Sequence, residues 1–440
     1  MANKKCIVIG AGLAGLAAAY RAFQNGWEVD VLEADHRYGG RVHTEEHHRK
    51  GLPPLVYELG GEWIGSDHKR MIALCKHFHL RTMDHRYGLS FWQEGLPLQT
   101  YPAGAFPFPK TIHKKFQQFC KEMNQHQNDV CWNKNLDRID WWTKLKQIGF
   151  GQTELERRDL MDSTDFGESI RQTSAYSAGA EYAFSDKFDE MDRKVVGGNA
   201  RLSDAFVAAI NAKRTSLHKN QEVTKIHQGS GMVMVTTRQG LTIEGNACIC
   251  AIPAPCLSRI HWNPALPEEQ LNATQQLQYA RIAKTAVLFP ERFWEKIWPP
   301  SKGSGFSMFS NRVSDFCFES TTGQKGPQGI ICSYAIGDKA DDLASEKGYR
   351  LADWISGDIC EALQVKPKIP AVFLKQKPWQ REKSIGGAYA FYRPEQWFKV
   401  RPALSRPHGR VLFAGEHLSE AWQGFMEGAV ETGEAAADAL

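Results

Sequence analysis

The segment Lys5–Ile9 is apolar and β-branched after its first position, the pattern of a strand buried on both faces. Residues 13–25 follow with a helical pattern, and Gly26 stands where such a helix would end. Residues 27–32 predict a second strand. Residues 35–49 are polar and glycine-bearing, which predicts a loop. Over 66–80 the apolar positions Met71, Leu74, Cys75 and Phe78 share one helical face. From about 85 to 195 the chain turns aromatic and irregular, with a Pro/aromatic loop over 101–109. Regular texture returns at 195–210 and in a hairpin-like stretch over 222–252. Residues 279–287 alternate like a strand inside a mixed region, 280–395, that carries Trp and Phe clusters. Residues 411–440 read as strand, loop and Ala-rich helix. Two textures therefore alternate without any internal repeat. This predicts two domains threaded through each other, one built from 1–75, 195–275 and 405–440, the other from 76–194 and 276–404.

A chain of 440 residues is long for one core, which agrees with two domains. The balance of 54 basic against 50 acidic residues is too even to predict binding to nucleic acid or an anionic membrane. No apolar run is long enough to span a bilayer. Residues 6–20 follow two lysines but contain Gly10, Gly12 and Gly15 and lead into a β pattern, so they do not read as a signal peptide. Neither the ten cysteines nor the fifteen histidines show metal-ligand spacing. Reduced thiols, a cytoplasmic location and no metal are expected.

Gly10-Ala11-Gly12-Leu13-Ala14-Gly15 fits G-x-G-x-x-G between the first strand and the first helix. The first glycine permits the tight turn, the second lets backbone approach a pyrophosphate, and the third lets helix and strand pack closely. The helix N-terminus offers free N–H groups to the phosphates. Glu33 ends the second strand, where a carboxylate accepts hydrogen bonds from a ribose diol and disfavours a 2′-phosphate. These features predict a dinucleotide and leave FAD and NAD both open.

Further along stand Arg37-Tyr38-Gly39-Gly40-Arg41, Tyr57-Glu58-Leu59-Gly60-Gly61-Glu62-Trp63-Ile64-Gly65 and Val196-Gly197-Gly198-Asn199-Ala200-Arg201-Leu202. At the C-terminal end come Gly409-Arg410-Val411-Leu412-Phe413-Ala414-Gly415-Glu416 and Gly424-Phe425-Met426-Glu427-Gly428-Ala429-Val430. Over nearly its whole length the chain resembles the flavin-containing amine oxidase family, of monoamine oxidase and L-amino-acid oxidase type. The resemblance implies an α/β fold, in which a glutathione-reductase-like Rossmann FAD-binding domain is interleaved with a substrate domain of mixed sheet and helices. It implies FAD contacts from Gly10, Gly12, Leu13, Ala14, Gly15, Glu33, Ala34, Gly40 and Arg41. It adds Gly60, Gly61, Glu62, Trp63, Val223, Trp379, Gly415, Glu416, Gly424, Phe425 and Met426. Asp35 departs from the pattern, since relatives often carry arginine there.

A lysine inside an apolar strand either snorkels to an edge or serves a site, because an unpaired buried ammonium is costly. The resemblance assigns Lys284 to a water beside flavin N5. It also makes Trp379 a wall against the flavin ring, with Tyr389, ten positions later, and Phe425 as an aromatic cage for the amine. Phe425 replaces a common tyrosine. Ala388 replaces the cysteine that bonds the flavin in mitochondrial monoamine oxidases, so non-covalent FAD is expected. No carboxylate pair suits acid–base work.

The arginine that clamps a substrate carboxylate in L-amino-acid oxidases is replaced by Trp63. Arg81, Arg86, Arg171, Arg193, Arg381 and Arg393 are alternative clamps, and Trp63, Trp422, Tyr389 and Phe425 are the expected pocket. The expected activity is oxidative deamination of a primary amine, with an L-amino acid ahead of a monoamine or diamine. Hydride would leave Cα–H for flavin N5, with hydrolysis of the imine to an oxo acid and ammonia, and O2 as final acceptor giving hydrogen peroxide. A C–C desaturase and a non-catalytic flavoprotein are more distant alternatives. The expected partners are a small amine or amino acid and O2, and a homodimer is compatible with the sequence.

Overall fold

A computed structural model describes residues 4–101, 105–184, 191–210, 214–297 and 305–440. Strand β1 (Lys5–Ile9), helix α1 (Leu13–Gln24) and strand β2 (Glu28–Leu32) form the opening βαβ unit. Gly26, at φ +89°, turns the chain between helix and strand. The parallel sheet built on this unit runs Val411–Phe413, Ala247–Cys250, β1, β2, Thr215–His218. Cys6 and Val8 point to the face packed by α1, Ala200–Ile210 and Met426–Asp438, while Ile7 and Ile9 point to the other. Both faces are covered, so β1 is apolar at successive positions rather than at alternate ones. The small residues of α1 let Met426–Asp438 approach closely. A Cβ on Gly433 would lie 2.2 Å from the Ala14 carbonyl oxygen.

The second sheet has seven strands, ordered Val372–Pro378, Ile282–Phe289, Gly329–Ile336, Phe316–Glu319, Ser307–Ser310, Leu89–Trp92 and Gln99–Tyr101. It is mixed: the pair Ser307–Ser310 with Leu89–Trp92 is parallel and the other pairs are antiparallel. Helix Gly348–Ala362 packs on it through Ala352, Ile355 and Ile359. The sheet places Lys284 on an interior strand, opposite Tyr334 on one side and Lys377 on the other.

Several elements differ from the sequence expectation. Thr44–Arg49, inside the expected loop, is a strand paired with Leu52–Glu58; its polar side chains are tolerated because the two-stranded ribbon is partly solvated. The expected helix over 66–80 is shorter, Lys69–His77, with Met71, Leu74 and Cys75 buried. The stretch over 222–252 is a three-stranded meander, Val223–Gly229, Met232–Thr237 and Thr242–Gly245, followed by a strand of the parallel sheet. Over 279–287 the chain does not alternate: Ile282–Phe289 is buried at every position, between two neighbouring strands and two covered faces.

The largest difference lies between 85 and 195. Among the described residues five helices stand there, Lys110–Gln125, Val130–Asp137, Trp141–Ile148, Gln152–Phe166 and Ala175–Phe184. They share a core of Phe116, Phe119, Trp141, Leu145, Phe150 and Phe166, so the aromatic residues are packing rather than irregularity. Part of the expected loop over 101–109 lies outside the described residues. Among the described residues, no helix is long and apolar enough to cross a membrane.

Candidate active site

One cavity of about 1840 Å³ runs from the opening glycine turn to the second sheet. That exceeds the roughly 300–1,000 Å³ of an ordinary ligand pocket, enough for a dinucleotide and a substrate together. Every residue named above as a candidate FAD contact lines it except Gly15, as do Lys284, Tyr389 and Trp422. Gly15 serves the same turn from behind, because a Cβ there would lie 1.8 Å from the Gly10 carbonyl oxygen. Its absence of side chain sets how closely α1 approaches β1.

The turn fits FAD. Gly10 sits at φ +93°, and Gly12 caps α1 without any side chain accepting the first-turn N–H groups. A Cβ on Gly12 would meet only Gly40 Cα, at 3.9 Å, so room is left in front of the helix. Glu33 is fixed by the backbone N–H groups of Ala11 (2.6 Å) and Asp35 (2.8 Å). Arg41 does not stand free to face a pyrophosphate. It donates to Glu416 (2.6 Å) and the Ala388 carbonyl (2.7 Å), and it lies over the Tyr279 ring. Glu416 also accepts from Gly424 N–H (2.9 Å), tying the C-terminal motif to the second glycine turn.

Lys284 is 2% exposed. Its ammonium donates to Glu62 Oε2 (2.8 Å) and the Gly60 carbonyl (2.9 Å), with the Trp63, Phe318 and Tyr334 rings 5.3–5.6 Å away. Burial works against the ammonium, but Glu62 outweighs it and the Lys284 pKa is raised. Burial likewise opposes ionised Glu62, yet Lys284 and His85 draw it down to about 2. The pair is therefore charged at neutral pH. His85 Nε2 lies 2.8 Å from Glu62 Oε1 and 2.5 Å from the Tyr87 hydroxyl. Burial, with Lys194 nearby, pushes His85 down to about 4, so it is neutral and its Nε2–H donates to Glu62. Sequence reasoning found Lys284 but neither this pairing nor His85. The signal lay in a carboxylate directly after Gly60-Gly61, where a buried lysine needs a counter-charge.

Trp379 is buried, its indole N–H donating to the Leu59 carbonyl (2.8 Å). Tyr389 donates to the Thr164 carbonyl (2.6 Å) and lies 3.0 Å from the Tyr334 hydroxyl. Gly167, at φ +78°, leaves room for its ring; a Cβ there would meet Tyr389 Cε2 at 2.8 Å. Phe425 sits at the N-terminus of Met426–Asp438, just after Gly424, whose Cβ would lie 3.6 Å from Tyr389. His68, which sequence reasoning missed, holds that wall. Its Nδ1 accepts from Gly65 N–H (3.1 Å), and its ring meets Trp422 and Phe425 edge-on at 4.8 and 5.5 Å.

The arginines proposed as carboxylate clamps are otherwise occupied. Arg81 is exposed and lies outside the cavity lining. Arg171 covers the Trp142 ring, Arg193 pairs with Asp192 and Arg393 donates to Gln172. Arg86 and Arg381 line the cavity, but one pairs with Asp84 and the other donates to Ala344 and Ser345. The remaining lining arginines, Arg41, Arg70, Arg238 and Arg259, are held by Glu416, Glu434, Glu222 and the Lys383 carbonyl.

Ala388 offers no nucleophile. Cys256 also lines the cavity, but burial raises its thiol pKa, which keeps it from reacting as thiolate. Acid precipitation of the yellow protein should therefore release the flavin to the supernatant; colour retained in the washed pellet would show a covalent bond.

Comparison with known proteins adds the relationship. The family model described as flavin containing amine oxidoreductase matches residues 13–440. The chain is 25% identical to an L-amino acid dehydrogenase of Synechocystis sp., over 99% of this chain and 94% of that protein. It is 26% identical to flavin-containing amine oxidase A of Bos taurus, over 98% and 84% respectively. The solved structure of wild-type putrescine oxidase bound to putrescine superposes with a TM-score of 0.84 at 22% identity, covering 99% of this chain and 98% of that one.

Proposed function

Because the chain belongs to the flavin-containing amine oxidoreductase family, with FAD as its cofactor, we propose that it oxidises an amine whose reacting carbon carries no carboxylate, with O2 as acceptor. The observation that carries this reading is that every arginine lining the cavity is already engaged. A substrate carboxylate would meet only guanidinia that already donate to a carboxylate, a backbone carbonyl or a serine hydroxyl, and would have to compete with those partners.

Bound FAD supplies the two-electron acceptor. The protein's part is to bind, orient and exclude water. Tyr389, with its hydroxyl fixed on Thr164, and Phe425, braced by His68, flank the space for the amine. An aromatic pair orients the amine between its faces, so that the lone pair of the neutral form is directed along the channel between the rings. Lys284 presents an ammonium among apolar rings, its charge balanced by Glu62 at 2.8 Å. Glu62 holds it in place. On this reading residues 1–75, 195–275 and 405–440 carry the cofactor, and 76–194 and 276–404 shape the substrate end.

An L-amino acid is the second reading, favoured by the similarity to the Synechocystis protein. A peroxide-coupled assay across alkylamines, arylalkylamines, diamines and L- and D-amino acids separates the two. Amines should be turned over at rates well above those of the amino acids. Turnover of L-phenylalanine without phenylethylamine would overturn the amine reading.

A further inference from the structure

Two carboxylates in the cavity wall play no part in the reading so far. Asp165 lies at the end of Gln152–Phe166, next to Thr164, whose carbonyl holds the Tyr389 hydroxyl. Glu181 lies on Ala175–Phe184. Both line the cavity. Asp165 is exposed by area and Glu181 partly so, but protein encloses both and their open surface belongs to the cavity.

Their neighbour Asp162 shows what a satisfied carboxylate looks like here. It is 1% exposed, pairs with Arg158 (2.7 Å), and accepts from the Trp141 indole (2.7 Å) and the Tyr182 hydroxyl (3.1 Å). Arg158 is thereby committed. Asp165 is approached by the Tyr182 hydroxyl at 3.4 Å, whose single proton also serves Asp162, and by the Thr164 hydroxyl, whose proton goes to the Met161 carbonyl at 2.6 Å. Glu181 has no hydrogen-bond or ion-pair partner among the described residues. Among the described residues Arg158 pairs with Asp162 alone, and the two carboxylates left without an ion pair line the cavity. Burial and repulsion from Asp162 push Asp165 up to about 7, and burial with repulsion from Asp165 and Asp162 pushes Glu181 well above the usual carboxylate range. Such an arrangement is relieved either by protonation of the carboxylates or by a cation placed between them.

We propose that Asp165 and Glu181 form a subsite for a second, non-reacting cationic group of the substrate, placed beside the Tyr389 wall, so that the preferred substrate is an aliphatic diamine. The inference rests on the amine reading for the diamine itself, though not for recognition of the second cation. Aromatic hydroxyls of Tyr182, Tyr334 and Tyr389 surround the subsite and suit an ammonium, which offers three donors. A carboxylate-paired ammonium in an enclosed site discriminates against the isostere lacking it by about ten- to a hundredfold.

The test compares two matched pairs by anaerobic flavin reduction of the holoenzyme: hexamethylenediamine against n-hexylamine, and L-lysine against L-norleucine. Within whichever pair is oxidised, the dication should be preferred by at least about tenfold in kcat/KM. Glu181→Gln and Asp165→Asn should abolish most of that preference, and Glu181→Asp should restore part of it. A merely structural role would lower thermal stability instead. Here Asp165→Asn should stabilise the protein above about pH 7, where the aspartate is ionised at a cost. That gain should shrink as pH falls below 7, because the native carboxyl is then already protonated. Equal rates within the oxidised pair, or a preference that survives both neutralising variants, would overturn the subsite while leaving the amine reading intact. Oxidation of the amino-acid pair alone would overturn the amine reading, and the lysine-to-norleucine ratio would still decide the subsite.

Discussion

Lys284→Met is expected to slow substrate oxidation by at least about a hundredfold while the purified protein keeps its flavin absorbance. The ammonium is placed among Trp63, Phe318 and Tyr334 on an interior strand, and it lies on the cavity wall. Methionine matches the stem and removes the charge. It also leaves Glu62 buried with His85 as its remaining donor, and stranding one member of a buried pair costs about 3–5 kcal/mol. Loss of activity could then follow from loss of structure. The double variant Lys284→Met/Glu62→Gln separates the causes, since it removes both charges and keeps the glutamine amide able to bond His85. Stability should return toward that of the native protein, and turnover should not. If the double variant regained turnover along with stability, Lys284 would be a structural ion and its assignment to the chemistry would fail. A sensor without catalysis would show no change in flavin reduction in either variant.

The glycine turns and the C-terminal motif were legible because they are local. A turn that needs φ +93° at Gly10, or a helix that cannot bear a Cβ at Gly15, imposes its residue type on the sequence. Lys284 was legible for a related reason: one charge in an apolar strand stands out. Its partner was not, since Glu62 lies 222 positions away and nothing local marks the contact. His85 and His68 were missed because a histidine between polar and aromatic neighbours looks solvated until the fold buries it. The same holds for the acidic pair. Asp165 and Glu181 fall in a stretch that reads as irregular, and only the packing of two helices brings them to one cavity.

The helices between 110 and 184 were obscured for a different reason. Their buried faces are aromatic and interrupted by charge, and Arg158 and Asp162 are themselves buried, so the apolar period is broken. Their ends carried the clearer signal. Asp129 and Asp140 cap two of them by accepting from Trp132 and Thr143, and Gly149 and Gly167 close two in the left-handed conformation. Strand Thr44–Arg49 has no such signal, because its partner, not its own pattern, makes it a strand.

The glycine turn supplies the second large effect, through two substitutions that should fail in different ways. Gly15→Ala places a Cβ 1.8 Å from the Gly10 carbonyl oxygen and 2.9 Å from its carbon. Both are backbone atoms of a turn fixed between β1 and α1, so no side chain can swing aside. The helix must withdraw, its packing against β1 and Met426–Asp438 loosens, and overpacking of this kind costs about 3 kcal/mol or more. The variant should be colourless and should melt well below the native apoprotein. Gly12→Ala differs. Gly12 has an ordinary φ of −71°, and its Cβ would meet nothing nearer than Gly40 Cα at 3.9 Å. Alanine there strains nothing, so the apoprotein should melt as before. The new methyl group occupies the space in front of the first-turn N–H groups of α1, where the pyrophosphate must come close. Gly12→Ala should therefore lose flavin without losing fold. Flavin content by absorbance and melting temperature of the apoproteins decide the matter together. A Gly12→Ala protein that stays fully yellow would show that the pyrophosphate does not approach this turn, and the first motif would then be a packing device alone.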